Sequence, residues 1–434
     1  MAKTADYGLG EHTFPRGWFM VATSDEVTTT PLAVRYFGEE MVLYRGGSGR
    51  VFLVEAFCPH MGTHLAKNTS SYVVVDKEHV EGDNIRCPYH GWRFGPDGRC
   101  NDIPYSPAPI PKAACLKSWK VLERAGCIWA WHDAEGGEPD YDVPPFEQWN
   151  QPGWVNWSVE PLGELACHPQ EVLDNMTDKG HLQPVHGSID MVKFENEFNG
   201  HVCRQILTAG HKTLAGEGVE PMTNDTWYTG PGILQSVMVG EYPSHMLITH
   251  TPVDDGVIKV WYGLFVKVKN DVPTAADIEL AKGYEKAGVA AFAQDFEIWA
   301  NKRPCLHPMM VKGDGPFDKL RIWYKQFYND RARAGEFQAR VNGHYVTRGT
   351  HEAPWDQVAI VSVTAMIGIA ALAAGVQGWL FKRTNGLERW LLIAAGLALV
   401  YPKPMFDYIG IVLIMIAVVL QKLRGDAPHA AAGA

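Results

Sequence analysis

The chain has 434 residues, enough for about three domains and a large core. Hydrophobic residues make up 46% and charged residues 20%, which excludes a disordered chain. Asp and Glu number 49 against 39 Lys and Arg, and a net charge of −10 argues against general nucleic-acid binding, so no nucleic-acid partner is expected.

The N-terminal stretch holds no apolar core of a secretory signal. Eight cysteines, at 58, 87, 100, 115, 127, 167, 203 and 305, show no disulfide-framework spacing and fit a reducing compartment. Residues 31–135 read as β-rich, with short runs at 41–44, 51–54 and 72–75 between Gly and Pro. Within them stand Cys58-Pro59-His60 and, 26 residues on, Cys87-Pro88-Tyr89-His90. Two thiolates and two imidazoles in the pattern C-x-H…C-x-x-H suit a Rieske [2Fe–2S] centre, with Cys58 and Cys87 on one iron and His60 and His90 on the other. Gly62 and Gly91 supply the tight turns such loops need. A structural zinc site is the alternative for the same donors, but the usual finger spacing is absent. The other six cysteines have no partner spacing and read as core thiols. His64 is out of step with the first loop and reads as a neighbour of the site or an exposed residue.

Residues 135–139, Glu-Gly-Gly-Glu-Pro, suggest a domain boundary. A helix is expected near 169–183. Asp174 and Asp178 fall at i,i+4 on it, and Asp178 and His181 at i,i+3. Gly180 and Pro184 disfavour a regular helix there, so the chain can turn and bring His181 and His186 to one ion. That suits a non-haem Fe(II) site of two His and one carboxylate. A capped helix end with solvated polar groups is the plain alternative. Residues 200–268 read as strands, at 234–239, 246–251 and 257–268. The apolar residues of 232–242, 246–251 and 257–268 offer a lipid-sized pocket lining or, more simply, sheet core.

A second helix is expected over 275–300, with Thr274 as N-cap and Asp277 three residues on. Val289, Phe292, Phe296 and Trp299 form its apolar stripe. Asp295 lies about 60° from Phe292 and can reach a buried site, whereas Glu297 lies about 140° away and points to solvent.

Residues 358–381 carry no charged side chain. As a helix they would span about 36 Å, enough for a ~30 Å hydrocarbon core. Two shorter apolar runs follow, 390–401 and 408–420, parted by Pro402 and Pro404. Each is below the ~17-residue minimum for a straight span, so a broken hairpin, a re-entrant pair or interfacial helices are all open, as are buried soluble helices. Residues 355–424 hold six cations and three acids, a net +3 that suits anionic headgroups and leaves −13 elsewhere. Cations flank the first run on both sides, so charge does not set its orientation.

The segments 14–18 (Phe-Pro-Arg-Gly-Trp), 58–64, 87–94 and 174–186 resemble the oxygenase component of Rieske non-haem iron oxygenases, over roughly residues 13–335. Residues 294–299 (Gln-Asp-Phe-Glu-Ile-Trp) and 323–328 (Trp-Tyr-Lys-Gln-Phe-Tyr) resemble the 3-ketosteroid 9α-hydroxylase branch, which includes cholesterol 7-desaturase. The resemblance implies an α+β fold: a Rieske β-domain in 1–135, then a helix-grip catalytic domain in 136–350. A C-terminal helical membrane segment, 356–422, and a tail, 423–434, follow. It also implies Asp295 as third iron ligand beside His181 and His186. Asp178 would bridge His181 to a Rieske histidine, His90, of a neighbouring subunit in a homotrimer. Electrons would come from a ferredoxin or an NAD(P)H-dependent reductase, the co-substrate would be O₂, and the substrate a steroid or sterol to be hydroxylated or desaturated. Cholesterol 7-desaturation and sterol methyl oxidation are alternatives within the family. The membrane segment implies a bilayer-associated enzyme with cytoplasmic catalytic domains. Two readings of other classes remain: a membrane Rieske electron-transfer protein, which leaves 174–186 unexplained, and a zinc-stabilised lipid-binding module.

Overall fold

A computed structural model describes residues 2–211, 221–239, 243–348, 355–401 and 404–424. The chain divides into two compact units, Met1–Thr347 and Arg348–Ala434.

The first unit begins with short strands: β1 (Gly17–Thr23), β2 (Leu32–Tyr36), β3 (Glu39–Arg45) and β4 (Val51–Glu55). After a turn of helix, α1 (Tyr72–Val75), come β5 (Val80–Glu81), β6 (Asn84–Arg86), β7 (Arg93–Phe94), β8 (Cys100–Asp102), β9 (Ser118–Trp119), β10 (Val121–Arg124) and β11 (Cys127–His132). They pair antiparallel in the orders β1-β11-β10, β2-β3-β4-β9 and β5-β6-β7-β8. The expected strand at 72–75 is helical instead. No neighbouring strand takes up its backbone, so Val75 N–H bonds to Ser71 O and Asp76 N–H to Tyr72 O, and Tyr72 and Val75 stay exposed.

β1 and β11 are buried on both faces, so they read as unbroken apolar runs without alternation. One core joins Phe19 and Trp129 to Ile233, Trp261 and Phe265 of the sheet that follows. Of residues 135–139, Glu135, Gly136 and Glu138 are exposed, and Gly137 O accepts from Trp131 Nε1–H at 3.0 Å.

The following strands are β12 (Trp154–Val155) and β13 (Glu160–Leu165), then helices α2 (Pro169–Asp174) and α3 (Leu182–His186). Long strands come next: β14 (Ser188–Asn199), β15 (Val202–His211), β16 (Met222–Thr229), β17 (Ile233–Val239), β18 (Ser244–Asp254) and β19 (Val257–Lys267). Residues 240–242 of the suggested pocket lining lie outside the described residues. Helices α4 (Ala275–Ala300), α5 (Phe317–Lys325) and α6 (Ala334–Val341) and strand β20 (Gly343–Val346) complete the unit. The sheet runs β12-β19-β18-β17-β16-β15-β14-β20, with β13 also on β19. The helix α4 has the expected capping box of Thr274 and Asp277, and Phe292, Phe296 and Trp299 pack on the sheet core.

Residues 169–183 do not form one helix. α2 stops at Asp174, whose carboxylate is drawn into an ion pair with Arg321 at 2.6 Å. The chain turns through residues 175–181, and α3 begins at Leu182. Pro184 sits in the first turn of α3, where a missing N–H costs nothing. Asp174 and Asp178 therefore do not share a helix face.

The second unit consists, among the described residues, of helices α7 (Trp355–Gln377), α8 (Gly386–Val400) and α9 (Pro404–Leu423). The sequence underestimates α9, which continues through Asp407 and Lys422. Residues Ala359–Gln377 and Met405–Leu423 are long and apolar enough to cross a membrane. Small residues let the helices close: a Cβ on Gly396 would lie 2.7 Å from Gly368 O, and one on Gly410 would lie 2.4 Å from Leu399 Cγ. Ile360, Met366, Trp390 and Val412 face outward. At one end, buried Glu388 accepts from Asn385 N–H at 3.0 Å and meets Arg424 at 3.4 Å. The tail beyond 424 lies outside the described residues.

Candidate functional site

Cys58 and Cys87 open two loops with the same backbone plan. In each, the Cys N–H donates five residues ahead, to Thr63 O (2.9 Å) and to Trp92 O (2.7 Å). In each, a glycine N–H four residues ahead donates back to the Cys carbonyl, from Gly62 at 2.9 Å and Gly91 at 3.0 Å. Both glycines have φ near 70° (70° and 73°), a left-handed conformation that a side chain would strain. The repeated plan turns both thiols inward and both imidazoles outward. Cys58 and Cys87 are buried, while His60 is exposed and His90 half-buried. The His60 and His90 rings stand 4.7 Å apart, and His60 stacks on Trp92 at 4.6 Å. The neighbouring Cys58 thiol lowers Cys87, while Cys87 and burial raise Cys58.

Among the described residues these four side chains are not one of the sets with three ligand atoms within 4.8 Å of one another. They therefore do not suit a single tetrahedral ion. Two thiols at the base and two imidazoles at the rim do suit a two-iron cluster, whose opposite ends each take two ligands. His64 lies outside this arrangement, its Nε2 paired with Glu40 at 3.2 Å. Of the remaining cysteines, Cys100, Cys127, Cys167 and Cys203 are buried as expected. Cys115 and Cys305 are exposed, because both lie in loops outside the sheets, and are not core thiols.

The second constellation does converge. Ligand atoms of His181, His186 and Asp295 all lie within 4.8 Å of one another. His186 is the last residue of α3, and Asp295 projects from α4 with 5% exposure. Glu297, two residues on, is exposed. Each imidazole is held by its other nitrogen. His181 Nδ1 lies 2.7 Å from Asp178 O, and His186 Nδ1 lies 3.0 Å from Gln294 Oε1. That leaves the Nε2 atoms for the centre, the arrangement ligating histidines need. His186 Nε2 lies 3.2 Å from Asp295 Oδ2. Burial disfavours the charged imidazole of His186, but the Asp295 carboxylate outweighs it and raises the pKa. Two imidazoles and one carboxylate on one side of a point are the donor set of a mononuclear iron centre with open positions.

Asp178 backs this centre. Its Oδ1 accepts from His181 N–H at 3.2 Å, and its Oδ2 lies 3.5 Å from His181 Nδ1. Burial works against its charge, yet contact with His181 holds its carboxyl below the usual range. The turn carrying it is pinned by Met176 O, which accepts from Asn196 Nδ2 (2.7 Å) and Gln205 Nε2 (2.9 Å). Gly315 lies against the same turn, where a Cβ would come within 1.8 Å of Thr177 O. Arg321 fixes the end of α2 through Asp174. Gln294 was readable as the neighbour of Asp295; Gly315 and Arg321 carry no local signal, because their roles arise from a distant segment. Among described contacts, the His90 ring meets His60, Tyr89 and Tyr105, all in the same β-domain.

The fold and the two constellations define a Rieske non-haem iron oxygenase. Residues 17–120 match the Rieske [2Fe-2S] domain family, and residues 130–328 match the 3-ketosteroid 9alpha-hydroxylase C-terminal domain family. A probable 3-ketosteroid-9-alpha-monooxygenase oxygenase component of Rhodococcus rhodochrous is 30% identical over 345 residues, covering 76% of this chain and 83% of that protein. A cholesterol 7-desaturase of Caenorhabditis elegans is 27% identical over 352 residues, covering 74% and 78%. NdmA of Pseudomonas putida CBB5, solved with caffeine, superposes with a TM-score of 0.58 at 18% identity, covering 77% of this chain and 97% of its own. Apo dicamba monooxygenase gives 0.52 at 18% identity, covering 75% and 97%; at such identity these two speak for the fold. The chain belongs to the 3-ketosteroid 9α-monooxygenase oxygenase-component family of Rieske oxygenases. It is the terminal oxygenase of a multi-component system, working with a [2Fe–2S] cluster, a mononuclear iron, O₂ and electrons from a reductase or ferredoxin.

Proposed function

We propose that this oxygenase hydroxylates or desaturates a steroid or sterol drawn from a membrane. Convergence of His181, His186 and Asp295 beside the apolar layer under α4 carries the reading. In it, Cys58 and Cys87 hold one iron of the cluster, His60 and His90 the other, and His181, His186 and Asp295 the mononuclear iron. When bound, the two centres supply stored electrons and activated O₂. The chain's own residues set the geometry. Gln294 and Asp178 fix the imidazoles, and the Asp295 carboxylate offsets ferrous charge. Met238, Met246, Val289, Phe292 and Phe296 pack on the core beneath α4 and exclude water from a hydrophobic substrate.

In this reading Asp178 meets a Rieske histidine, His90, of a neighbouring subunit. A head-to-tail homotrimer supplies that contact. The outward apolar faces of α7 and α9 suit a bilayer, where a sterol concentrates. The catalytic part lies on the cytoplasmic side, where electron donors are found and eight cysteines stay reduced.

The relatives include both a steroid monooxygenase and a cholesterol desaturase, so the outcome rests on pocket geometry. Product analysis with a panel of sterols, O₂ and a surrogate reductase tests the reading. A hydroxylated or newly unsaturated sterol is the expected product. Turnover of small aromatic acids alone, with no sterol converted, would refute it.

A further inference from the structure

Glu285, Gly288, Phe292, Asp295 and Trp299 recur along one face of α4, within about 80° of arc. Beneath them the inward face of β19 offers Val260, Tyr262, Leu264 and Val266, all in one core. Apart from Asp295, two polar side chains stand in this layer. Tyr262 Oη and Glu285 Oε1 are buried with no hydrogen-bond partner among the described residues. Tyr262 is 0% exposed. Its hydroxyl has room because position 288 is glycine: a Cβ there would stand 2.0 Å from Tyr262 Oη. Glu285 stands one turn away from Gly288 on the same face of α4. Burial and the nearby Glu160 raise the Glu285 carboxyl to about 7. A buried hydroxyl and a buried carboxylate oxygen, both without partners among the described residues, are costly unless something else satisfies them.

We propose that Tyr262 and Glu285 form a recognition pair for an alcohol group of the substrate, at the end of the apolar layer remote from Asp295. The pair and Asp295 are ten residues apart on α4, about 15 Å of helix, so an elongated lipid can be held by its polar end and oxidised at a distance from it. The donor and acceptor pattern selects the functional group. An alcohol accepts from Tyr262 Oη–H and donates to Glu285 Oε1, satisfying both. A ketone only accepts and leaves an ionised Glu285 unpaired, so the preference is read at about pH 8, above the raised carboxyl value. A site built to bond a hydroxyl rejects the analogue that cannot complete the bonds. This inference rests on the sterol reading above and adds the identity of the polar end.

The test uses the full-length holoenzyme in detergent with a sterol bearing a ring alcohol and its ketone counterpart on the same skeleton. Equilibrium binding and kcat/KM are measured for both. Preference for the alcohol by about 100-fold or more is expected. Glu285→Gln keeps the side chain's size, and Tyr262→Phe keeps the ring; each should bring the ratio to within about tenfold, mostly through KM. A purely structural role would lower stability in these variants and leave the ratio unchanged, which would overturn the proposal. Equal use of both sterols by the unaltered enzyme would overturn it alone. Failure of either sterol to bind at all would overturn it together with the sterol reading.

Discussion

His181 and His186 are each held at Nδ1, one by the backbone carbonyl of Asp178 and the other by the side-chain oxygen of Gln294, which leaves both Nε2 atoms for the proposed centre. Asp178→Asn keeps the shape but removes the charge, so kcat is expected to fall about 10- to 100-fold with mononuclear iron retained. Metal analysis beside steady-state kinetics checks this; unchanged kcat would count against a role for Asp178. Away from the iron site, burial drives His132, His168 and His245 to about 4 and His250 to about 3. These bases are depressed in the folded chain, so the unfolded chain takes up protons first as pH falls below about 6.5. Stability from each is full above that pH and is lost as pH drops toward the folded value. At pH 5 each costs about 2 kcal/mol, and the melting temperature should fall between pH 7 and 5. His250→Gln should flatten that slope. Residues 58, 60, 87, 90, 181, 186 and 295 stood out as candidate ligands because spacing and helix phase are local properties. The pairing of Tyr262 with α4 was not legible, since it depends on a glycine distant in the chain.

At the scale of elements, the turn between α2 and α3 is shaped from outside. α2 and α3 are short, and a lone segment of either length has little helical stability. Arg321 on α5 grips Asp174, and Gly315 lets the α5 segment lie against Thr177. Periodicity suggested one helix over 169–183, because it records only the chain's own preference. Removing Arg321 leaves a buried carboxylate unpaired, so Arg321→Ala should destabilise the first unit by about 3 kcal/mol in denaturant unfolding. Gly315→Ala should displace the turn and cost mononuclear iron while leaving the cluster's visible absorption intact. Loss of cluster absorption in that variant would mean that the two sites are not separately supported. The helix α4, by contrast, was readable from its cap and stripe, since a 26-residue helix carries enough turns to define its faces.

At the scale of the whole molecule, a catalytic unit and a bundle of three apolar helices share one chain. The first apolar run was legible by length alone. The second run lies in a helix of 15 residues, short as its sequence suggested, whereas the third looked too short because α9 continues through Asp407 and Lys422, which a count of apolar residues stops at. A chain ending at Thr347 should lose vesicle flotation yet keep both iron sites, whereas the full chain should float with lipid. Flotation of the shortened chain would place the lipid contact elsewhere. The account as a whole rests on two separate iron centres in each chain. Iron and acid-labile sulfide per chain, measured for the unaltered protein and for His181→Ala, test it most directly. About three Fe and two sulfides are expected, falling to about two Fe in the variant with visible absorption unchanged and turnover lost. Two Fe in the unaltered protein, or loss of all iron in the variant, would contradict it.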